Sequence, residues 1–498
     1  MSVPIIRYFG IGKETTYGTE VLPVIHNDIT SGGMDSPAEP FIHYEGGLGR
    51  YPRRSIAGAY RCEGGVEIPA DVSTLWYFLW LAIGSKAATD ETGVTPVADE
   101  ALGSTDADGA LTDTIINTPV LLKSAIVSDS NPYPVAADDG GGFMRKLTAV
   151  ADEAHATGAG ETTLTFTLTN PRVTPGTFEF YSAVPTLVAS DDGDGTISEE
   201  GGSGVSGTID YVNGIVSLTG LTASIAYTAD YRYMDITTKR GTINYLTGAI
   251  SLNGLGASEA HTLDYSYGEY VHVINATSEM VMSSATVRLG KDLYEHVFTG
   301  VAISQLTLAI ERELANLSLD LTGGVDIKEA IQDEDNLFIP QEFPIPFHNA
   351  AFGWADYGSS PSDVSADVDS VTLTINNNAD GEGGMGLNSR YPYKIYAGNL
   401  DIMIDLVLKF ESTQAKEDFW GGAAGPSETP TEKAAELTLD AGDWGNIVFT
   451  IPRCLINSVA HAPSGRARMT QAISLKVQYD TVTETLITAV ATCLANHL

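Results

Sequence analysis

RYPRRSIAGAYRCEGGVEIPADVSTLWYFLWLAIGS, residues 50–85, decides how the rest of the chain is read. Tyr60 to Ile68 alternates weakly around Gly64-Gly65, as a strand does. Asp71 then stands before an apolar run from Val72 to Ile83, with Gly84 just beyond, which predicts a capped helix of about three turns. Leu75, Phe78, Leu79 and Ala82 fall at helical spacing on one face, and Trp76, Tyr77, Trp80 and Leu81 form a second apolar stripe. A helix apolar on two faces has to be covered on two faces. Either a thick core sandwiches it inside one domain or another protein chain covers the second stripe. The enrichment of Trp and Tyr at protein interfaces favours the second chain.

Working outward, the chain is rich in Val/Thr/Tyr alternations, with 51 glycines and 22 prolines among its 498 residues and few helical stretches, so it reads as mainly β with short turns. Residues 1–49 read as an extended arm. Residues 85–143 shift to Ala, Asp, Thr and Gly with little periodicity and read as an irregular lead-in to an insertion, and 144–270 reads as an inserted, immunoglobulin-like β-sandwich. Within it GTIDYVNGIVSLTGL (207–221) recurs as GTINYLTGAISLNGL (241–255), and YTADYRY (227–233) as HTLDYSY (261–267). The spacing matches helical repeats, but each copy has the pattern strand, Asn-Gly or Thr-Gly turn, strand, loop, strand. Strand patterning returns from 279 to the end, with a short helix expected at Thr413–Phe419.

Charge excludes some functions. The chain has 64 acidic and 27 basic residues, a net charge of -37, so it is not a nucleic-acid-coating protein. A halophilic source explains the excess, because molar salt shortens the Debye length to about 3 Å. Residues 1–84 are the least acidic part, with 9 acidic against 6 basic residues. Arg50, Arg53, Arg54 and Arg61 form the one dense basic cluster there, better suited to carboxylates of a neighbouring protein than to phosphate. Cys62, Cys454 and Cys493 are too far apart for a metal knuckle or disulfide framework and read as reduced core residues. The N-terminus has no signal-peptide pattern, and no apolar run is long enough to span a bilayer, so use without membrane passage is expected.

No motif carries an enzyme reading. GEGGMG (381–386) fits G-x-G-x-x-G, yet Asn388-Ser389-Arg390-Tyr391-Pro392 follows where a helix would be needed. SDDGDGTISEEG (190–201) places Asp192 and Asp194 at calcium-loop positions, but Ser190 and Gly201 stand where the first carboxylate and the bidentate glutamate belong, so an acidic hairpin loop is the better reading. Cofactors are not expected.

Taken in order, IGKETTYGTE (11–20), GRYPRRSIAGAYRCEGGVEIPAD before the helix, VRLGKDLYEHVFTGVAISQLTLAIE (287–311), DSVTLTINNNAD (369–380), GNLDIMIDLVLKFE (398–411), and FTIPRCLINS followed by SGRARMTQAISLKVQYD (464–480) resemble the major tail, or tail tube, protein of long-tailed viruses. The resemblance covers 1–84 and 271–498, the expected tube domain with its N-terminal arm. It implies a β-sandwich or barrel-like subunit with one flanking helix. Six subunits would close a homohexameric ring, and stacked rings would form the conduit for genome ejection. The implied partners are other copies of the chain, the tape measure protein, the tail terminator, and baseplate or tail-tip proteins, with viral DNA passing through an acidic lumen without specific binding. The implied place is the virion tail, assembled in the host cytoplasm of a halophilic, archaeal host. Arg50, Arg53, Arg54, Arg61, Trp76, Tyr77, Trp80 and Leu81 are the expected subunit-interface residues. An exported cell-surface or adhesion β-domain protein of a halophile is the alternative.

Overall fold

The computed structural model describes residues 7–35, 40–43, 54–87, 89–131, 133–182, 186–193, 195–277, 281–332, 337–381, 383–410, 412–423, 425–428, 431–461 and 469–496, with backbone alone for 7, 40–43 and 54–57. The chain is mainly β and divides into two compact units. One comprises 1–93, 269–334 and 339–498, and the other 94–268 with 335–338.

The first unit is organised around the strand Tyr294–Ile310. Its first half pairs with Ala285–Lys291 and Val325–Glu329, and its second half with Ala315–Gly323 and Val368–Asn376. The strand changes partners at Gly300, which has a φ of 66° and faces Tyr17 so closely that a Cβ would lie 2.7 Å from the ring. From Ala315–Gly323 the sheet continues to Cys62–Pro69, which runs unbroken through Gly64-Gly65. From Val368–Asn376 it continues through Asp401–Lys409, Thr470–Val477, Gly445–His461 and Thr488–Cys493 to Tyr270–Ala276. Period-two alternation builds this core: Ile402, Ile404, Leu406 and Leu408 are buried along one strand, and Leu373 and Ile375 along its neighbour. Helix α1 (Val72–Ile83) lies against this sheet, and α2 (Gln414–Trp420) falls where the short helix was expected.

The second unit corrects two expectations. Residues 94–143 are not an irregular lead-in: they hold the strands Thr95–Ser104, Leu111–Thr114, Ile126–Ser128 and Pro134–Asp138, paired into the same sheet as the repeat. The compact unit accordingly begins at 94 rather than 144. Most of these strands are short and rich in Ala, Asp and Thr, so they carry too few alternating apolar positions to be read. The second correction is that the duplication extends beyond the hairpins and is nested. Tyr265 donates to Glu100 and Tyr231 to Glu153, each at 2.6 Å, and the same two hydroxyls accept from the backbone of Asn117 and Asn170, each at 3.2 Å. Tyr245 donates to Asp138 and Tyr211 to Asp191, each at 2.5 Å, and Gly142 N and Gly195 N donate to those hydroxyls. Asp99 and Asp152 both have left-handed φ, 55° and 58°. Counterparts in the front half are 53 positions apart (100 and 153, 117 and 170, 138 and 191), and those in the rear half are 34 apart (211 and 245, 231 and 265). The two spacings differ because one copy is inserted within the other. The strands Phe143–Ala156 and Ala226–Ile243, paired antiparallel, run from one copy into the other. Each copy has its own core: Leu168, Phe178, Phe180, Val216 and Tyr227 in one, and Ile115, Ala125, Val127, Ile250 and His261 at the matching positions of the other.

Candidate functional site

Helix α1 begins where sequence places it. Asp71 is extended and accepts from Thr74 N at 2.8 Å, and Gly84 closes the last turn in the left-handed region, its N–H on the Trp80 carbonyl. The start of the helix has a second cap that sequence did not reveal. Glu342 receives Val72 N at 2.8 Å and Ser73 N at 2.9 Å, one on each carboxylate oxygen, so a loop 270 residues away supplies the partners of two orphan amides. Burial raises the Asp71 carboxyl to about 6, and burial with the nearby Asp71 charge raises Glu342 to about 8.

Both apolar faces of α1 are covered, and the cover comes from the chain itself. Phe78 packs against Phe9, with ring centroids 6.0 Å apart, and Trp76 stacks on His272 at 3.8 Å. The Tyr77 hydroxyl accepts from Lys13 N at 2.8 Å. Trp76, Tyr77 and Leu81 are at most 2% exposed. The expectation that a second chain covers this stripe is therefore corrected: strands contributed from far along the sequence make the thick core that was the alternative. Trp80 alone on the helix is half-buried, under the Lys13 ammonium at 3.8 Å and near Lys86 at 5.5 Å. Burial lowers His272 to about 4, so its ring stays neutral against Trp76.

The basic cluster is only partly visible. Arg50 and Arg53 lie outside the described residues, and of Arg54 only its place in the strand Arg54–Ala57 is described. Arg61 pairs at 2.7 Å with Glu63 of the strand that begins just after it. A stronger charge centre went unread in the sequence. Buried Arg288 is held by Glu20, Glu295 and Glu329, and Tyr8 donates to Glu295, which joins the N-terminal strand to the centre of the sheet. Its members come from four separate segments, so no spacing could announce it.

The acidic loop forms a hairpin turn between Leu187–Asp191 and Thr196–Glu199. Asp191 accepts from Gly176 N, Gly193 N and the Tyr211 hydroxyl, and Asp192 from Ser198. These carboxylates hold the turn together, and Asp194 lies outside the described residues. Among the described residues no group of three or more His, Cys, Asp or Glu side chains is placed to hold a metal ion. Among those residues, too, no helix is long and apolar enough to cross a membrane. Cys62, Cys454 and Cys493 are buried free thiols, and burial pushes Cys454 up to about 12.

At the C-terminal end of α1 a cavity of about 740 Å³ opens, lined by Ala82 and Ile83 of the helix, by Val281 and Ala397, and by Tyr479 and Glu484. The rest of its lining is mixed, with Thr277, Ser283, Asn377 and Asn399 beside Leu81, Met282 and Leu400, and Glu484 as its charged residue. GEGGMG falls between the strands Val368–Asn376 and Asp401–Lys409, and among the described residues no helix stands between it and the second of them.

Among known families, the model described as phage tail tube protein matches residues 7–477. No curated protein matches the chain significantly.

Proposed function

The chain belongs to the phage tail tube protein family, and from that premise we propose that its copies close into rings, six to a ring, and that the rings stack into the tube through which the genome leaves the virion. As a tail tube protein it is a structural component of the virion tail. The family match over nearly the whole chain carries this reading. A mainly β subunit with a thick core around α1 supplies the rigid wall such a tube needs. The net charge of -37 would repel DNA phosphates from the lumen, so the genome would pass without specific binding. Tape measure, terminator and baseplate or tail-tip proteins are the expected partners in the host cytoplasm. Molar salt, as in a halophilic host, would screen the subunits from one another. The second compact unit is an outward decoration in this reading.

Electron microscopy of the purified full chain in molar salt tests the proposal. Rings or tubes are the expected particles, and six-fold class averages the expected symmetry. A chain that stays monomeric by sedimentation across a thousandfold concentration range would overturn it.

A further inference from the structure

Two buried acids share the start of α1, and one of them arrives on a separate segment. Asp71, 8% exposed, leads into the helix itself, whereas Glu342, 9% exposed, comes from Ile339-Pro340-Gln341-Glu342-Phe343-Pro344. Glu342 is the one buried side chain of those six residues, and Pro340 and Pro344 have no N–H to bond. Just past them Ile345 is buried and fastened twice, its N–H on the Ala70 carbonyl at 2.9 Å and its carbonyl receiving Ala315 N at 2.8 Å. The segment is built as a strap. It is firm at Ile345, and it meets the helix through the carboxyl that receives Val72 N and Ser73 N. Phe343 rides on it, 81% exposed.

The surroundings offer the two acids no cation. Asp71 faces Asn27 and Thr74, Glu342 faces Ser73, and the buried Cys493 thiol of the strand Thr488–Cys493 feels both acids and also Glu269. The amide end of a helix favours one negative charge. A second, buried beside the first, is repelled and loses its water, so a proton stays on Glu342 while the segment lies on the helix. Lifting the segment puts Glu342 in water, where the proton leaves near the ordinary 4.5, whereas the closed form keeps it to about 8. Opening therefore gains on closing with each step of pH between 4.5 and 8 and levels off above 8.

We propose that residues 339–344 are a proton-operated strap: protonated Glu342 latches it onto the first turn of α1, and loss of that proton lifts it, uncovering the helix start and moving Phe343 while the sheet stays folded. Local release is open to this segment because 339–344 belong to no strand, so no ladder breaks when they move. The device does not depend on the assembly reading.

Hydrogen exchange of the unassembled full chain, read by mass spectrometry at pH 5.5, 7 and 8.5 and corrected for intrinsic rates, tests it. Protection in peptides spanning Val72 and Ser73 should fall at least tenfold from pH 5.5 to 8.5, while that of the strand Asp401–Lys409 stays level. Glu342→Gln cannot ionise, so in that variant the fall should vanish. Should it fail to fold, Asp71→Asn takes its place, where loss of the like charge should make the fall smaller. Helix amides that keep their protection, or lose it only together with Asp401–Lys409, would overturn the strap. So would a fall that either variant leaves at its wild-type size.

Discussion

Trp76 shows how a residue can satisfy an interface pattern and still be core. Its ring has no exposed surface and stacks on His272, so its removal leaves a hole among groups that cannot relax together. Trp76→Ala should lower the stability of the subunit itself by about 3–5 kcal/mol. Urea unfolding of unassembled protein measures this. A folded subunit of wild-type stability that merely fails to assemble would show that the ring faces another chain. Glu342 makes a second residue-scale prediction, in pH. Its carboxyl is raised from an ordinary value near 4.5 to about 8. Below 4.5 it is neutral in both the folded and the unfolded chain. Between 4.5 and 8 the unfolded chain releases the proton and the folded one keeps it, so stability falls with rising pH, and above 8 the loss is complete. Asp71, raised to about 6, adds to the fall in the lower part of that window. Glu342→Gln should flatten the slope, which amounts to roughly 2–4 kcal/mol between pH 5 and 8. Thermal unfolding of both forms from pH 5 to 9 decides, and parallel curves would mean that the pair does not titrate with folding.

At the scale of elements, the second unit has the geometry of something added. Asp90 and Val271 exchange backbone hydrogen bonds at 2.9 and 3.1 Å, so the chain leaves and re-enters the first unit at nearly the same point. Deleting 94–268 across a short Gly/Ser linker should leave the first unit folded and still able to form tubes. Leu337 and Phe338 belong to the second unit, with the Arg172 guanidinium 4.3 Å from the Phe338 ring, and should be changed to Ser in the same variant. Electron microscopy of the deleted form checks this, and a folded product unable to form any ring would make the unit part of the wall. These same elements show what was legible. α1 and its Asp71 and Gly84 caps could be read because capping is local, and the hairpin repeat because its copies share nine identities in fifteen positions. The cover over Trp76 could not be read, since His272 is nearly two hundred positions away and only the sheet brings it near. The front half of the duplication was missed because it shares little beyond VAADDGGG (135–142) and VASDDGDG (188–195) and because insertion changed the spacing.

Across the whole molecule the dominant quantity is charge. A subunit with a net charge of -37 brings like charges together at every contact it makes with another copy. Repulsion between exposed carboxylates grows as the Debye length lengthens from about 3 Å at 1 M salt to about 10 Å at 0.1 M. Attractive pairs act in the opposite direction on dilution. Exposed pairs are worth only about 0–1 kcal/mol each. Arg61 adds little, because Glu63, two residues on, already holds it. Summed repulsion should still win, and assembled material should fall as salt is lowered. Sedimentation from molar to tenth-molar salt tests the balance, and wild-type tubes that persist or grow at low salt would show that ion pairing, not screened repulsion, governs assembly.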